Sequence, residues 1–265
     1  MIDLRFSESE LQARREHIVQ FVRDTVDAAG TDRAVLGLSG GIDSTLTAHL
    51  AVEALGAENL HGLVMPGAVS RDDNMSDAEW VARELDVAYD VFEINPIVDE
   101  FLDTYPEAEG DQVAVGNARA RTRAVLNYLV ANHEDAVVLG TGNRSEALVG
   151  YFTKYGDGAV DCHPIGNLYK QQVRQLASHV GVPDELVEKP ATAGLWAGQT
   201  DEAELGLDYE TLDAILALHV DGPLSEAALV REIEGVTEAQ VRTVREKYER
   251  SAHKRRVPPS PEPLD

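Results

Sequence analysis

Apolar residues recur at Leu11, Ile18, Val22 and Val26, which approximates one helical face over residues 8–29 with Ser7 placed to cap it. Short apolar runs then alternate with stretches of helical spacing. The pattern predicts strands at 35–38, 60–65, 88–94 and 137–139. It predicts helices at 45–55, 77–85 and 116–132, with Glu146 beginning or closely preceding another. A strand–helix alternation of this kind argues for an α/β fold, a parallel sheet with helices on both faces. Ligands in such sheets sit at the carboxyl ends of the strands. Three turns fall there: GLSGG from residue 37, Met65-Pro66-Gly67, and Gly140-Thr141-Gly142-Asn143.

After Gly150 the pattern changes. GYFTKYGDGAVDCHPIGNLYK is rich in glycine, aromatic and polar residues and has little periodicity, as a loop or binding surface does. Residues 169–180 read as helix again, 189–207 as irregular, and 209–218, 224–233 and 237–250 as three short helices. A Pro-rich tail, 257–265, is expected to stay extended. No linker or internal repeat interrupts the chain, so residues 1–265 read as one domain.

Composition narrows the function. Among 265 residues, 43% hydrophobic, no apolar run reaches the roughly 18 residues of a membrane span, and the N-terminus is too charged for a signal peptide. A cytoplasmic protein is expected. Forty-seven acidic against 23 basic residues give a net charge of −24, which argues against a nucleic-acid partner. The same acid excess, with only five lysines, predicts a salt-loving host. One cysteine, Cys162, leaves no room for a disulfide within the chain or a cysteine-based zinc site. Nothing around Cys162 marks it as a nucleophile.

The sharpest feature is Gly37-Leu38-Ser39-Gly40-Gly41-Ile42-Asp43-Ser44. Its amides can close around a pyrophosphate, and Ser39 and Ser44 add hydroxyls. A Walker loop would carry a lysine, and this one carries Asp43. An aspartate beside phosphate calls for a cation between them, which suggests Mg²⁺ held by one or two carboxylates and phosphate oxygens.

S-G-G-x-D-S after a strand resembles the loop of the ATP pyrophosphatase enzymes. The segment 140–177, with NARAR at 117–121, QTDEAELGLDYETLD at 199–213 and AHKRR at 252–256, is similar to NAD synthetase, and with this charge to one from a halophilic archaeon. The resemblance implies a Rossmann-like doubly wound parallel sheet flanked by helices, of the adenine nucleotide alpha hydrolase-like kind. It implies ATP-dependent amidation of deamido-NAD by ammonia through an NAD-adenylate, releasing AMP and pyrophosphate. Carried over residue by residue, it implies ATP contacts from 37–44, Thr141, Lys170 and Thr192, and Mg²⁺ contacts from Asp43 and Glu146. Asp43 and Lys170 would be catalytic. Arg121, Lys154, Asp161, His253 and Lys254 would contact deamido-NAD, and the chain would form a homodimer.

From the residues alone, Glu146 also reads as a first-turn helix acid, Arg121 as a solvated charge, and residues 253–256 as a basic tail. Tyr151, Phe152 and Tyr155 read equally as stacking or core residues. The stretch LWAGQTDEAELG is more compact than in the better-known bacterial members. The chain has no segment for a glutaminase, so direct use of ammonia is expected unless a separate glutaminase delivers it. Two other classes stay in view. A sulfur-transferring tRNA-modifying enzyme would need paired cysteines and a basic surface. A non-catalytic nucleotide-binding module would not need Glu146, Lys154, Asp161 and Lys170 together.

Overall fold

The computed structural model describes residues 4–67, 72–196 and 198–261, and of residues 72–74 the backbone alone. Helix α1 (Glu8–Ala28) starts at a capping box in which Glu10 N–H donates to Ser7 Oγ and Ser7 N–H donates to Glu10 Oε2. Its buried row is Ile18, Val19, Val22 and Val26. There follow β1 (Ala34–Leu38), α2 (Ile42–Leu55), β2 (Leu60–Val64), α3 (Asp72–Glu84), β3 (Ala88–Val91), α4 (Asn95–Thr104), α5 (Gln112–Glu134) and β4 (Val137–Leu139). The four strands are parallel in the order β3-β2-β1-β4.

Both faces of this sheet are covered, as its continuous apolar strands require. Ala34, Leu36 and Leu38 of β1 pack with α1, α2 and α3. Val35, facing the opposite way, packs with Ile94, Val98 and Val115 near and on α4 and α5. The chain steps outward from β1 to β3 and then returns to the other side of β1 as β4. That reversal opens a crevice at the carboxyl ends of β1 and β4.

Among the departures from the pattern reading, three have a local reason. Helix α4 was not expected, although Pro96 suits a first helical turn and Ile97, Val98, Phe101 and Leu102 have helical spacing. Strand β3 ends at Val91 because the chain peels away toward α4, keeping the bonds Phe92 N–H to Val64 O and Ile94 N–H to Pro66 O. Helix α5 begins before Gly116, where Asp111 accepts from the amides of Val113 and Ala114. Gly116 weakens the helix pattern but admits Leu195 and Trp196, which a Cβ there would approach to 3.3 and 3.2 Å.

The second half is helical: α6 (Arg144–Val149), α7 (Lys170–His179), α8 (Asp184–Val187), α9 (Asp201–Leu205), α10 (Tyr209–Ile215), α11 (Glu226–Glu232) and α12 (Glu238–Arg250). Helix α9 lies in the stretch expected to be irregular. Helix α10 runs into a π-helical turn, Leu216–Val220. Helix α7 joins the core beside α1 and α2, whereas α10, α11 and α12 build a separate apolar core with Leu148 and Val149 of α6. Residues 257–261 carry no helix or strand, and the rest of the expected tail lies outside the described residues. Among the described residues no helix is long and apolar enough to cross a membrane.

Candidate active site

The glycine loop lies where β1 hands over to α2. Gly40 takes φ +70°, a left-handed conformation that glycine adopts without a Cβ clash. Gly41 caps α2 without a side chain, so no side chain covers the first amides of the helix. The hydroxyls shape the turn: Ser39 N–H donates to Ser44 Oγ (3.2 Å), Gly41 N–H donates to Ser39 Oγ (3.3 Å), and Ser44 Oγ donates to Gly41 O (3.0 Å). Uncovered amides at a helix N-terminus form an anion cradle.

Two acids and a lysine meet beside it. Lys170 Nζ, on a residue only 2% exposed, donates to Asp43 Oδ2 at 2.5 Å and to Glu146 Oε1 at 3.2 Å. Asn143 caps α6 and donates from Nδ2 to Asp43 Oδ1 at 2.9 Å. Lys170 lies 5.2 Å from the centre of the Tyr209 ring. Burial disfavours its charge, but Asp43 and Glu146 outweigh that and hold the ammonium above its ordinary pKa. Burial pushes the Glu146 carboxyl up against the pull of Lys170, with Asp43 and Asp201 adding to the push.

These donors fit a hard divalent cation. Each carboxylate oxygen has lone pairs beyond its present bond. Among the described residues no group of three His, Cys, Asp or Glu could hold a metal alone. A Mg²⁺ at Asp43 and Glu146 would therefore take its other ligands from phosphate and water.

A cavity of about 610 Å³ opens above the crevice. Gly37, Leu38, Ser39, Gly41, Ile42, Asp43, Thr141, Glu146, Lys170, Thr192 and Lys254 line it. Gly40, Ser44, Arg121, Lys154, Asp161 and His253 do not. Arg121, Lys154 and His253 nonetheless gather with Lys254 at one edge. Arg121 donates to Lys154 O, Lys154 Nζ to His253 O at 2.9 Å, and Lys254 Nζ to Gly150 O at 2.8 Å and Phe152 O at 2.6 Å. Asp161 stands apart, its oxygens accepting from Tyr128 Oη and from Val138 N–H of β4. Thr192 Oγ1 is engaged within its own loop, donating to Gln199 O.

The NAD synthase family model matches residues 14–258. An NH₃-dependent NAD⁺ synthetase of Halobacterium salinarum is 64% identical over 98% of this chain and 97% of its own length. The chain belongs to the NAD synthase family. Among solved structures, an NMN synthetase from Francisella tularensis is 33% identical with a TM-score of 0.82, covering 97% of this chain and 99% of that one. An NH₃-dependent NAD synthetase from Campylobacter jejuni is 30% identical with a TM-score of 0.79, covering 95% and 99%.

In this NAD synthase chain the cavity also holds residues to which the sequence reading gives no role or leaves the role open. Arg123, one turn from Arg119 on α5, points inward and donates to Met65 O (3.0 Å), and burial with the Arg119 charge pushes it down to about 10. Lys189 pairs with Asp77 of α3. Asp201, buried on α9, accepts from Tyr209 Oη at 2.8 Å while its second oxygen has no donor. Tyr151 Oη gives its single proton to Glu204. Helical phase could have flagged Arg123: Arg119 and Arg123 share a face of α5 that Arg121 cannot. No local pattern marks Lys189, and Asp201 is legible only as part of the segment 199–213 that carries the resemblance.

Proposed function

We propose that this chain is an ammonia-dependent NAD synthetase: it uses ATP to adenylate the nicotinate carboxylate of deamido-NAD, and ammonia then displaces AMP to give the amide of NAD. The observation that carries the reading is the meeting of Asp43, Glu146 and Lys170 beside the uncapped start of α2. In the first step the carboxylate oxygen forms a bond to the α-phosphorus as the P–O bond to pyrophosphate breaks. The amides of 37–44 hold the departing pyrophosphate. Lys170 meets the charge that grows on it, a contribution made in the transition state. Mg²⁺ at Asp43 and Glu146 would supply charge neutralisation of the phosphates. Thr141 and Thr192 contact ATP. In the second step the ammonia nitrogen forms the C–N bond as the acyl C–O bond to AMP breaks, and the surplus proton on that nitrogen leaves to water.

Arg121, Lys154, His253 and Lys254 hold the dinucleotide, whose phosphates need basic partners on an acidic protein. Asp161 joins them as an acceptor through the lone pairs left beyond its bonds to Tyr128 and Val138. The chain acts as one cytoplasmic domain of residues 1–265 and takes free ammonia, with a separate glutaminase as an alternative source. It works as a homodimer. Val113, Val125 and Leu129 on α5, Ile97 and Phe101 on α4 and Tyr105 just past its end leave apolar surface exposed, and Arg121 falls in the same i, i+4 row of α5.

The test measures AMP, pyrophosphate and NAD from ATP, ammonium and deamido-NAD, with nicotinate mononucleotide and glutamine as alternative substrates. AMP release that depends on deamido-NAD and ammonium is expected. Preferential use of the mononucleotide would move the substrate assignment, and equal turnover with glutamine would end the assignment of free ammonia. Light scattering on the wild type and on Leu129→Glu tests the dimer: the variant should run as a monomer.

A further inference from the structure

Helix α7 carries Lys170 as its first residue, yet its N-cap is Tyr169, whose side chain makes no capping bond and whose hydroxyl donates to Asp221. The first amides of a helix need acceptors when buried. They find them in an acid 42 residues further along: Asp213 of α10 accepts from Gln171 N–H through Oδ2 at 2.8 Å. Its Oδ1 accepts from Ser145 Oγ at 2.5 Å, and Ser145 Oγ in turn accepts from Lys170 N–H at 2.9 Å. Asp213 and Ser145 are both 0% exposed, and neither lines the cavity. Ser145 immediately precedes Glu146. One buried carboxylate thus holds the start of α7, directly at Gln171 N–H and through Ser145 at Lys170 N–H, and ties it to the residue before Glu146, whose side chain meets Lys170.

We infer that Asp213, acting through Ser145, is the positioning residue of the adenylation centre, fixing Lys170 and Glu146 against the phosphate loop without touching a substrate. The inference rests on the function proposed above. An asparagine at 213 could still accept from Gln171 N–H, but its amide would face Ser145 Oγ, which already accepts from Lys170. The serine proton would then lose its acceptor, and the start of α7 would shift. A misplacement of about 1 Å can cost on the order of 100-fold in rate.

The experiment uses the full chain: wild type, Asp213→Asn, Ser145→Ala and the double variant. It reads deamido-NAD-dependent AMP formation at varied ATP, with urea unfolding of each protein. Each single variant should lose about 10- to 100-fold in kcat while KM for ATP stays within about threefold. The double variant should be no slower than the slower single one, because both break the same chain of bonds. If Asp213→Asn does not fold, the kcat-against-KM split of Ser145→Ala decides. Folded variants with wild-type kcat would overturn the role, as would losses that only track the folded fraction or that multiply in the double variant. A wild type that releases no deamido-NAD-dependent AMP would overturn the proposed function, and this role with it.

Discussion

The two sides of the cavity are built by different means. On the β1–α2 side the loop shapes itself over two to five residues, with Ser39, Gly41 and Ser44 bonding one another. On the other side the bonds cross the chain. Lys170 reaches Asp43 over 127 residues, Asn143 reaches Asp43 over 100, and Lys254 reaches Gly150 over 104. The first side supplies a cradle that any short peptide could encode, and the second supplies charges that only the finished fold brings to it. Substitutions should separate the two.

The largest effect is expected where the two sides meet. Asp43→Asn, Glu146→Gln and Lys170→Met should each lower kcat by on the order of 100- to 1,000-fold, since in the proposed mechanism each removes charge stabilisation of the breaking P–O bond. Circular dichroism and urea unfolding should report an intact fold. Near-normal rates in all three would break the assignment of this junction as the reacting centre.

The same contrast explains what the sequence reveals. Glycines at 37, 40 and 41 and the serines around Asp43 mark a cradle because their roles depend on neighbours. Apolar runs predict the sheet because β1, β2 and β4 are buried along nearly their whole length, while β3 at the edge is mostly exposed. Asp213, Asp201 and Lys189 carry no such mark, since an aspartate in α10 reads as an ordinary helix acid until α7 packs beside it. Helix α4 was hidden differently: Asp99, Glu100 and Asp103 form an exposed polar face opposite Val98, but Ile97 and Phe101 are exposed as well, and ten residues give the pattern little length. The motif resemblance reached Lys170 and Glu146, and the fold supplied what holds them.

A second test addresses the long-range side through pH. Burial holds the Asp213 carboxyl up at about 6, although Ser145 and the Gln171 amide pull it down. A raised acid binds its proton more tightly in the folded state. Its contribution is therefore fully present below the unfolded value near 4 and is lost as pH rises through about 6. The loss amounts to about 3 kcal/mol. Asp213→Asn has no such titration. Its stability relative to wild type should improve between pH 4 and 7.5, even while its kcat falls. Urea unfolding across that range gives the answer, and a constant difference would count against a strained buried carboxylate.

A smaller effect is expected at the basic edge. Lys254 Nζ donates to the carbonyls of Gly150 and Phe152, and Gly150 is where the C-terminal segment crosses closest, since a Cβ there would lie 2.1 Å from Ser251 Cβ. Lys254→Ala should raise KM for deamido-NAD about tenfold, the scale of one charged hydrogen bond, and change kcat less. Initial rates at saturating ATP separate the two parameters. A change confined to kcat would assign this edge to the chemistry and not to the dinucleotide.

The smallest effect tests whether local devices stay local. Ser7 and Glu10 cap α1 at an exposed site, and removing such a cap costs about 1 kcal/mol. For a chain of this size, Ser7→Ala should lower Tm by roughly 2–4 °C. Helix α1 nevertheless touches α7: Phe6 N–H donates to Gln175 Oε1 at 2.8 Å, and His179 lies 3.1 Å from Glu8. Fraying the first turn of α1 loosens the far end of α7, whereas Lys170 is held at the near end by Asp213 and Ser145. If that buried anchor sets the position of Lys170, kcat of Ser7→Ala stays at the wild-type value while thermal stability falls. A parallel fall in kcat would mean that α1 helps to aim Lys170, and the division between a self-shaped loop and a fold-assembled partner would have to include the N-terminal helix.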